Sequence, residues 1–186
     1  ILSVLDRVLP HSGLVLEVAS GPGEHAAFFS QNLASGRNNW RWQPSDIDPD
    51  NLASIDAHAR AIEGRADALL PAKHLDTTAA DWPVRQAGAV VCINMIHIAP
   101  WAACTGLLQG AGRVLAEAGV LYLYGPFKRG GAHTAPSNEE FDASLRGRDP
   151  SWGIRDLEDV VAFAAEHGMR LDETVEMPAN NLAFVT

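Results

Sequence analysis

Cysteine is scarce. Cys92 and Cys104 are the only two in 186 residues, too few for a disulfide framework. Cys92 lies inside an apolar run and reads as a buried, inert thiol suited to a reducing compartment. Positive charge is also short: 14 Lys and Arg face 23 Asp and Glu, a formal net charge of −9. That sign argues against a non-specific nucleic-acid or anionic-membrane binder, which needs a cationic face, though it allows a locally basic patch. Long apolar runs are missing too. The longest stretch, Ala87 to Cys104, is broken by Asn94, His97 and Pro100, whereas a membrane span needs about 20 nearly continuous apolar residues. No signal peptide is visible, so the expected setting is cytoplasmic, with no membrane and no nucleic-acid partner. The seven histidines offer no i,i+4 pair and no Cys-x-x-Cys companion, so no metal centre is expected. An initiator Met is lacking as well. Residues 1–9 already read as a helix with Ile1, Leu5, Val8 and Leu9 on one face, so the expectation is that a natural N-terminal segment is missing.

What is present is ordinary globular material. A chain that is 47% hydrophobic and 20% charged is neither disordered nor a coiled coil, and its length suits a single domain over residues 1–186. Strand and helix patterns alternate. Strands are predicted at 14–18, 40–46, 73–77, 89–94 and 120–124, and helices at 24–34, 51–62 (stopped near Gly64) and 100–115. A polar insertion then runs from Gly125 to Asp156, where Ser137 and Glu140 form a capping-box pattern that starts a helix near Asn138. Asp156 caps a helix over 157–167, stopped by Gly168, and strands at 170–177 and 181–185 close a terminal hairpin. Such alternation predicts an α/β fold, a doubly wound parallel sheet with helices on both faces, into which the hairpin inserts one antiparallel strand.

The strongest local signal is VLEVASGPGEHA at residues 15–26, which follows a strand and opens a helix. Glycines there admit a ligand to the backbone, and the helix start offers free N–H groups. Gly21 to Ala26 matches the dinucleotide fingerprint G-x-G-x-x-A. Glu17 speaks against a pyrophosphate, because a carboxylate at the strand end repels phosphate and suits a cationic ligand. The spacing Glu17-x-Ala19-x-Gly21-x-Gly23 is close to the acid-x-G-x-G-x-G of class I S-adenosylmethionine (SAM) methyltransferases. In that reading Glu17 and the loop residues Ala19, Ser20, Gly21, Gly23 and His25 hold the methionine part of SAM. Asp46 ends the second strand at the position expected of a ribose-binding acid; Asp48 competes for that role and also suits a helix cap. Ile47 would pack on the adenine. Asp76, with Thr77 beside it, is placed to reach the adenine amino group, and Asp67 is a rival. Asn94 and Met95 end the fourth strand at the switch point of the sheet, where ligands of such folds collect.

The set Glu17, Gly21-x-Gly23, Asp46, Asp76 and Asn94 resembles the class I SAM-dependent methyltransferase pattern over about residues 14–124. Longer blocks are similar to one narrower family: CINMIHIAPW (92–101), LYGPF (123–127), SNEEFDASLRGRDPSWGIRDLEDV (137–160) and EMPANN (176–181). They resemble the family that includes methyltransferase-like protein 26. The resemblance implies the Rossmann-like, seven-stranded methyltransferase sheet with SAM as cofactor and S-adenosylhomocysteine as product. Ala19 departs from the general motif, which has Gly there. Members of that family also carry a further N-terminal segment near the cofactor, which is absent before Ile1. The resemblance names no substrate.

Methyl transfer is an in-line displacement at a sulfonium, so positioning carries much of the catalysis, and a base is needed only if the nucleophile holds a proton. His97 is the candidate base and Asn94 faces the transferred methyl group; a packing or cap role for His97 stays open. The Asn-Pro-Pro-Tyr-like signature of many amino-group methyltransferases of nucleic acids is absent, since the strand ends Asn94-Met95-Ile96-His97. The insertion at about 125–156 is the expected substrate cap, with Tyr124, Phe127, Asn138, Phe141, Trp152 and Arg155 around a small, partly apolar acceptor. Phe141 and Trp152 equally suit a small core within the cap. Two other functions stay open: an NAD(P)-dependent oxidoreductase, and a SAM-binding protein without catalysis.

Overall fold

The structure, a computed structural model, describes residues 1–33, 37, 39–62 and 68–186. The expected helix stop at Gly64 and the rival acid Asp67 lie outside the described residues. In chain order come α1 (Leu2–Val8), β1 (Gly13–Val18), α2 (Glu24–Leu33), β2 (Trp40–Asp46), α3 (Pro49–Ala61) and β3 (Lys73–His74). Then follow β4 (Ala87–Ile93), a 3-10 turn at Met95–His97, α4 (Trp101–Val114) and β5 (Leu115–Gly125). The insertion supplies β6 (Phe127–Arg129), β7 (Ala132–His133), α5 (Pro136–Arg148) and β8 (Arg155–Asp156). α6 (Leu157–Glu166), β9 (Glu173–Met177), a second 3-10 turn at Pro178–Asn180 and β10 (Asn181–Val185) complete the described elements.

The main sheet has seven strands in the order β3-β2-β1-β4-β5-β10-β9. β1 pairs in parallel with β2 and β4, β2 with β3, and β4 with β5. β10 is antiparallel to both β5 and β9, which makes it the one reversed strand. The order of strands reverses between β1 and β4, so their carboxyl ends open a crevice. β4 is covered on both faces, which is why it reads as a continuous apolar run. Val90 and Cys92 join one core with Leu107, Ala111 and Phe184. Ala89 and Val91 join the other, with Phe29, Trp42 and Tyr122. No helix of the described residues is long and apolar enough to cross a membrane.

Three expectations shift. The capping box does not form: α5 begins at Pro136 after Ala135, with no side-chain cap, and Ser137 lies inside the first turn. Proline pre-sets the φ of a first helical residue, so no capping side chain is required there. β3 stops at His74 rather than Thr77, because Asp76 turns the chain by accepting from Thr78 N at 2.8 Å and Thr78 Oγ1 at 2.7 Å. β5 begins at Leu115, five residues before the predicted start, in register with Ala87. By contrast, Asp156 caps α6 as expected, accepting from Glu158 N.

The insertion folds into a three-stranded sheet, β7-β6-β8, with α5 against it. Asp142 of α5 ties it together. Its carboxylate accepts from Ile154 N at 2.6 Å and faces Lys128 Nζ at 3.3 Å, Arg146 Nε at 3.1 Å and His133 Nε2 at 3.4 Å. Burial alone would push its carboxyl up, but the Ile154 N–H, Arg146 and Lys128 together hold it below the ordinary carboxylate range.

Candidate active site

The loop after β1 turns on backbone geometry. Ala19 adopts φ 57°, a left-handed conformation that usually takes Gly. Gly23 has φ 97°, and a Cβ there would sit 2.9 Å from Ile55 Cα, so the loop presses directly on α3. Ser20 N donates to Ser45 O at 2.9 Å, and Gly21 N donates to Asp46 Oδ2 at 2.8 Å. The other Asp46 oxygen accepts from Asp48 N at 2.9 Å and Asn51 Nδ2 at 3.2 Å. Asp46 is thus the buried acid that knits the loop to the start of α3. Asp48 is the helix cap, accepting from Asp50 N. His25 is exposed and stacks on Phe29 with ring centroids 5.4 Å apart. Desolvation outweighs the attraction of Glu24 and lowers its pKa.

Glu17 sits behind the loop instead of in it. Only 2% of it is exposed, and Oε2 accepts from Ser20 Oγ and from Trp42 Nε1, each at 2.9 Å. Burial pushes its carboxyl up to about 7, against the pull of the Trp42 and Ser20 hydrogen bonds and with added repulsion from Asp46. The expected direct capture of a cation by Glu17 is therefore corrected: this carboxyl acts on the loop through Ser20. The cause is strand alternation, since Glu17 shares its face of β1 with Val15 and points under α2.

Two cavities open at the carboxyl ends of β1 and β4. The first, about 450 Å³, is lined by Val18, Ala19, Ile47, Asp76, Thr77 and Met95, with Trp152 at its side. The second, about 550 Å³, is lined by Asn94, His97, Tyr124, Asn138 and Phe141 together with Ser137, Asn180 and Asn181. Ile98 lines both, and the neighbours Asn94 and Met95 each face a different one. Among the described residues lining either there is no Lys, Arg or Glu, and Asp76 is the one acid.

Three residues expected at the acceptor are placed elsewhere. Phe127 is fully buried in the main core, edge-on to His97 at 5.1 Å. Trp152 belongs to the first cavity. Arg155 spends its guanidinium on the fold: Nε donates to Ile96 O at 2.9 Å, and Nη2 donates to Ala99 O at 2.5 Å and Ser151 O at 3.1 Å. It also lies over the Trp101 ring at 5.6 Å. The backbone entering β8 faces the 3-10 turn, with Gly153 N donating to His97 O at 2.9 Å, so an arginine there meets nearby carbonyls before any ligand. Asn180, Asn181 and Ile98 were not anticipated. The available signal was the pair of adjacent amides in the hairpin turn, where β10 returns beside β5.

His97 is 1% exposed. Its pKa is pulled down to about 3, first by burial and then by the Arg155 charge, despite Asp142 and the Gly153 contact. Its Nδ1 faces Arg155 N at 3.5 Å, and its Nε2 has no hydrogen-bond partner among the described residues. Such an imidazole is neutral at physiological pH and a weak base. Cys92 and Cys104 are buried thiols, and burial pushes Cys104 up to about 12 and Cys92 higher still.

Comparison with known proteins places this geometry. The structure matches an O-methyltransferase family 2 protein from Planctomyces limnophilus, solved with apigenin, with a TM-score of 0.77 at 18% identity, over 100% of this chain and 56% of that one. It matches mitomycin 7-O-methyltransferase with a TM-score of 0.77 at 11% identity, over 99% of this chain and 52% of that one. It matches human N-acetylserotonin methyltransferase, solved with SAM, with a TM-score of 0.73 at 14% identity, over 100% of this chain and 49% of that one. The chain therefore has a methyltransferase-type fold and spans about half the length of these proteins. The model of a family described as a protein of unknown function, DUF938, matches residues 1–186, so the chain belongs to that family.

Proposed function

We propose that this DUF938 chain is a SAM-dependent methyltransferase domain acting on a small molecule. The observation that carries the reading is the pair of cavities meeting at Ile98, at the switch point between β1 and β4. The chemistry of the first cavity fits SAM. Its walls are apolar at Ile47, Leu75 and Met95, with Asp76 at its rim for an amino group. Its described lining offers no cation to a pyrophosphate, and the Gly21 N–H that a phosphate would need is already taken by Asp46. An NAD(P)-dependent role is disfavoured on the same two grounds.

In this reading the loop Ala19–Gly23 holds the methionine part, Asp46 the ribose, and Ile47, Asp76, Thr77 and Met95 the adenine. Bound SAM would supply an electrophilic methyl on a good leaving group. The chain's own work is positioning: Asn94, at φ 62°, follows β4 where the two cavities meet. The second cavity would take the acceptor. The neighbours' cofactor and small-molecule ligands, and the likeness of the long blocks to the family of methyltransferase-like protein 26, support the same assignment. The whole chain would act as one domain, with residues 125–156 as its cap.

Calorimetric titration of the intact protein with SAM, S-adenosylhomocysteine and NAD tests the reading. Binding of the first two without NAD is expected. Failure to bind either SAM or S-adenosylhomocysteine overturns it.

A further inference from the structure

The acceptor class follows from what lines the second cavity, and this inference rests on the methyl-transfer reading. Asp, Glu, Lys and Arg make up 20% of the chain, yet none is among the described residues that line that cavity. A carboxylate or phosphate entering it would shed water and gain no opposite charge, and an ammonium has no lone pair to take a methyl group. The fitting acceptor is therefore neutral.

Its polarity is set by asparagines. Asn138 Nδ2 donates to Asn180 O at 3.0 Å and to Thr134 Oγ1 at 3.1 Å. Asn180 Nδ2 donates to Ser137 Oγ at 3.1 Å, and Asn181 Nδ2 to Pro178 O at 3.2 Å. A backbone carbonyl only accepts, which fixes the orientation of the Asn138 and Asn181 amides. Asn138 thus spends both of its amide N–H groups on the fold, which leaves its Oδ1 as an acceptor. Tyr124 and Phe141 add aromatic faces to the same cavity. Carbonyl oxygens and ring faces share one preference: both attract positive charge.

The cavity is equally poor in bases. His97, the one imidazole among the described lining residues, is buried and keeps its neutral form. Its Nδ1 faces the Arg155 N–H, which leaves the proton on Nε2. An acceptor that must lose a proton finds no other protein base among the described residues of the lining.

We infer that the acceptor is a neutral nitrogen heterocycle whose ring nitrogen holds an in-plane lone pair and becomes a methylated cation. The lone pair forms the N–CH3 bond as the C–S bond breaks, and the bonding pair stays on sulfur. No proton moves. The positive charge passes from the sulfonium to the product ring, beside the asparagine oxygens and the faces of Tyr124 and Phe141.

Three probes of similar size separate the features: pyridine-3-carboxamide, pyridine-3-carboxylate and 3-hydroxybenzamide. Two readouts are used, direct binding without methyl donor and S-adenosylhomocysteine formation at saturating SAM. The carboxamide is expected to bind at least about tenfold more tightly than the carboxylate. It is expected to be methylated, with kcat flat from about pH 6 to 9. The phenol is expected to remain unmethylated. Phe141→Leu, at a ring that is 43% exposed, should weaken carboxamide binding roughly fivefold and leave SAM affinity unchanged. Equal or tighter binding of the carboxylate, or methylation of the phenol at the carboxamide's rate, overturns the inference. SAM binding without methylation of the carboxamide overturns the acceptor class alone, whereas absence of SAM binding overturns the underlying methyltransferase reading.

Discussion

The backbone N–H of Gly21 donates to Asp46 Oδ2 at 2.8 Å, across 25 residues of sequence. One carboxylate thereby fixes both the glycine loop and, through Asp48 N and Asn51, the start of α3. A hydrogen bond to a charged group contributes about 2 kcal/mol when it is buried. Asp46→Ala should therefore lower the unfolding free energy by about that amount and reduce SAM affinity at least about tenfold. Urea unfolding and calorimetry measure the two. Asp46→Asn, which keeps one acceptor oxygen, should fall between. Unchanged SAM affinity in the Ala variant would remove Asp46 from the site.

This bond shows which parts were legible in the sequence. Gly21, Gly23 and the strand ends announce themselves because turns and pleats depend on neighbouring residues. The central strand β4 and the hairpin strand β10 have a length and apolar content that permit one reading. The environment of Glu17 does not, since a carboxyl at a strand end looks the same whether it faces a ligand or the Trp42 indole, 25 positions away. Arg155 is similar: its carbonyl partners at Ile96 and Ala99 lie 59 and 56 residues earlier. Only the folded 3-10 turn shows that they consume the guanidinium. Asn180 and Asn181 read as turn residues, and nothing local places them across from α5.

The Glu17 carboxyl titrates near 7 in the fold against 4.5 in its ordinary state. The native state therefore holds a proton that the unfolded chain releases over that window. Stability falls as pH rises from 4.5 through 7 and levels off above, by up to about 3 kcal/mol. Glu17→Gln keeps an oxygen for Trp42 and Ser20 and removes the titration. Its melting temperature should exceed that of the native protein at about pH 8 and approach it at about pH 5. Equal melting temperatures at pH 8 would show that Glu17 is not held protonated by burial.

His97 has the opposite slope. Its fold value near 3 lies below the ordinary 6.5, so the unfolded chain gains a proton first, and stability falls as pH drops from 6.5 toward 3. Between about pH 4.5 and 6.5 the two slopes oppose each other. A native melting curve that is nearly flat there is expected to split in the variants. His97→Asn should gain stability toward acid, and Glu17→Gln should lose it. Parallel curves for both variants would mean that neither group sets the acid limb.

Arg155 acts by shape as much as by charge. Three carbonyl contacts and the stack over Trp101 need a planar, multidonor head group. Arg155→Lys keeps the charge and loses that geometry, so it should cost about 2 kcal/mol in urea unfolding, close to the cost of Arg155→Met. A lysine variant as stable as the native protein would show that the charge alone suffices.

Gly125 leaves the space that His97 fills. A Cβ there would lie 2.5 Å from His97 Nε2, 2.7 Å from His97 Cδ2 and 3.2 Å from Asn94 Oδ1. His97 cannot retreat readily, because its ring packs edge-on against buried Phe127. Gly125→Ala should destabilise the native protein by about 2 kcal/mol through overpacking. In a His97→Ala background the new methyl enters the vacated volume, so the cost should drop to the backbone strain of an L residue at φ 159°. The double-mutant cycle is then non-additive by about 1–2 kcal/mol, well beyond the few tenths seen between independent sites. The same displacement would move Asn94 where the two cavities meet, so Gly125→Ala should also lower kcat more than it changes SAM affinity. An additive cycle would show that the His97 ring yields to a methyl group without resistance, and the contact between β5 and the 3-10 turn would then not position Asn94.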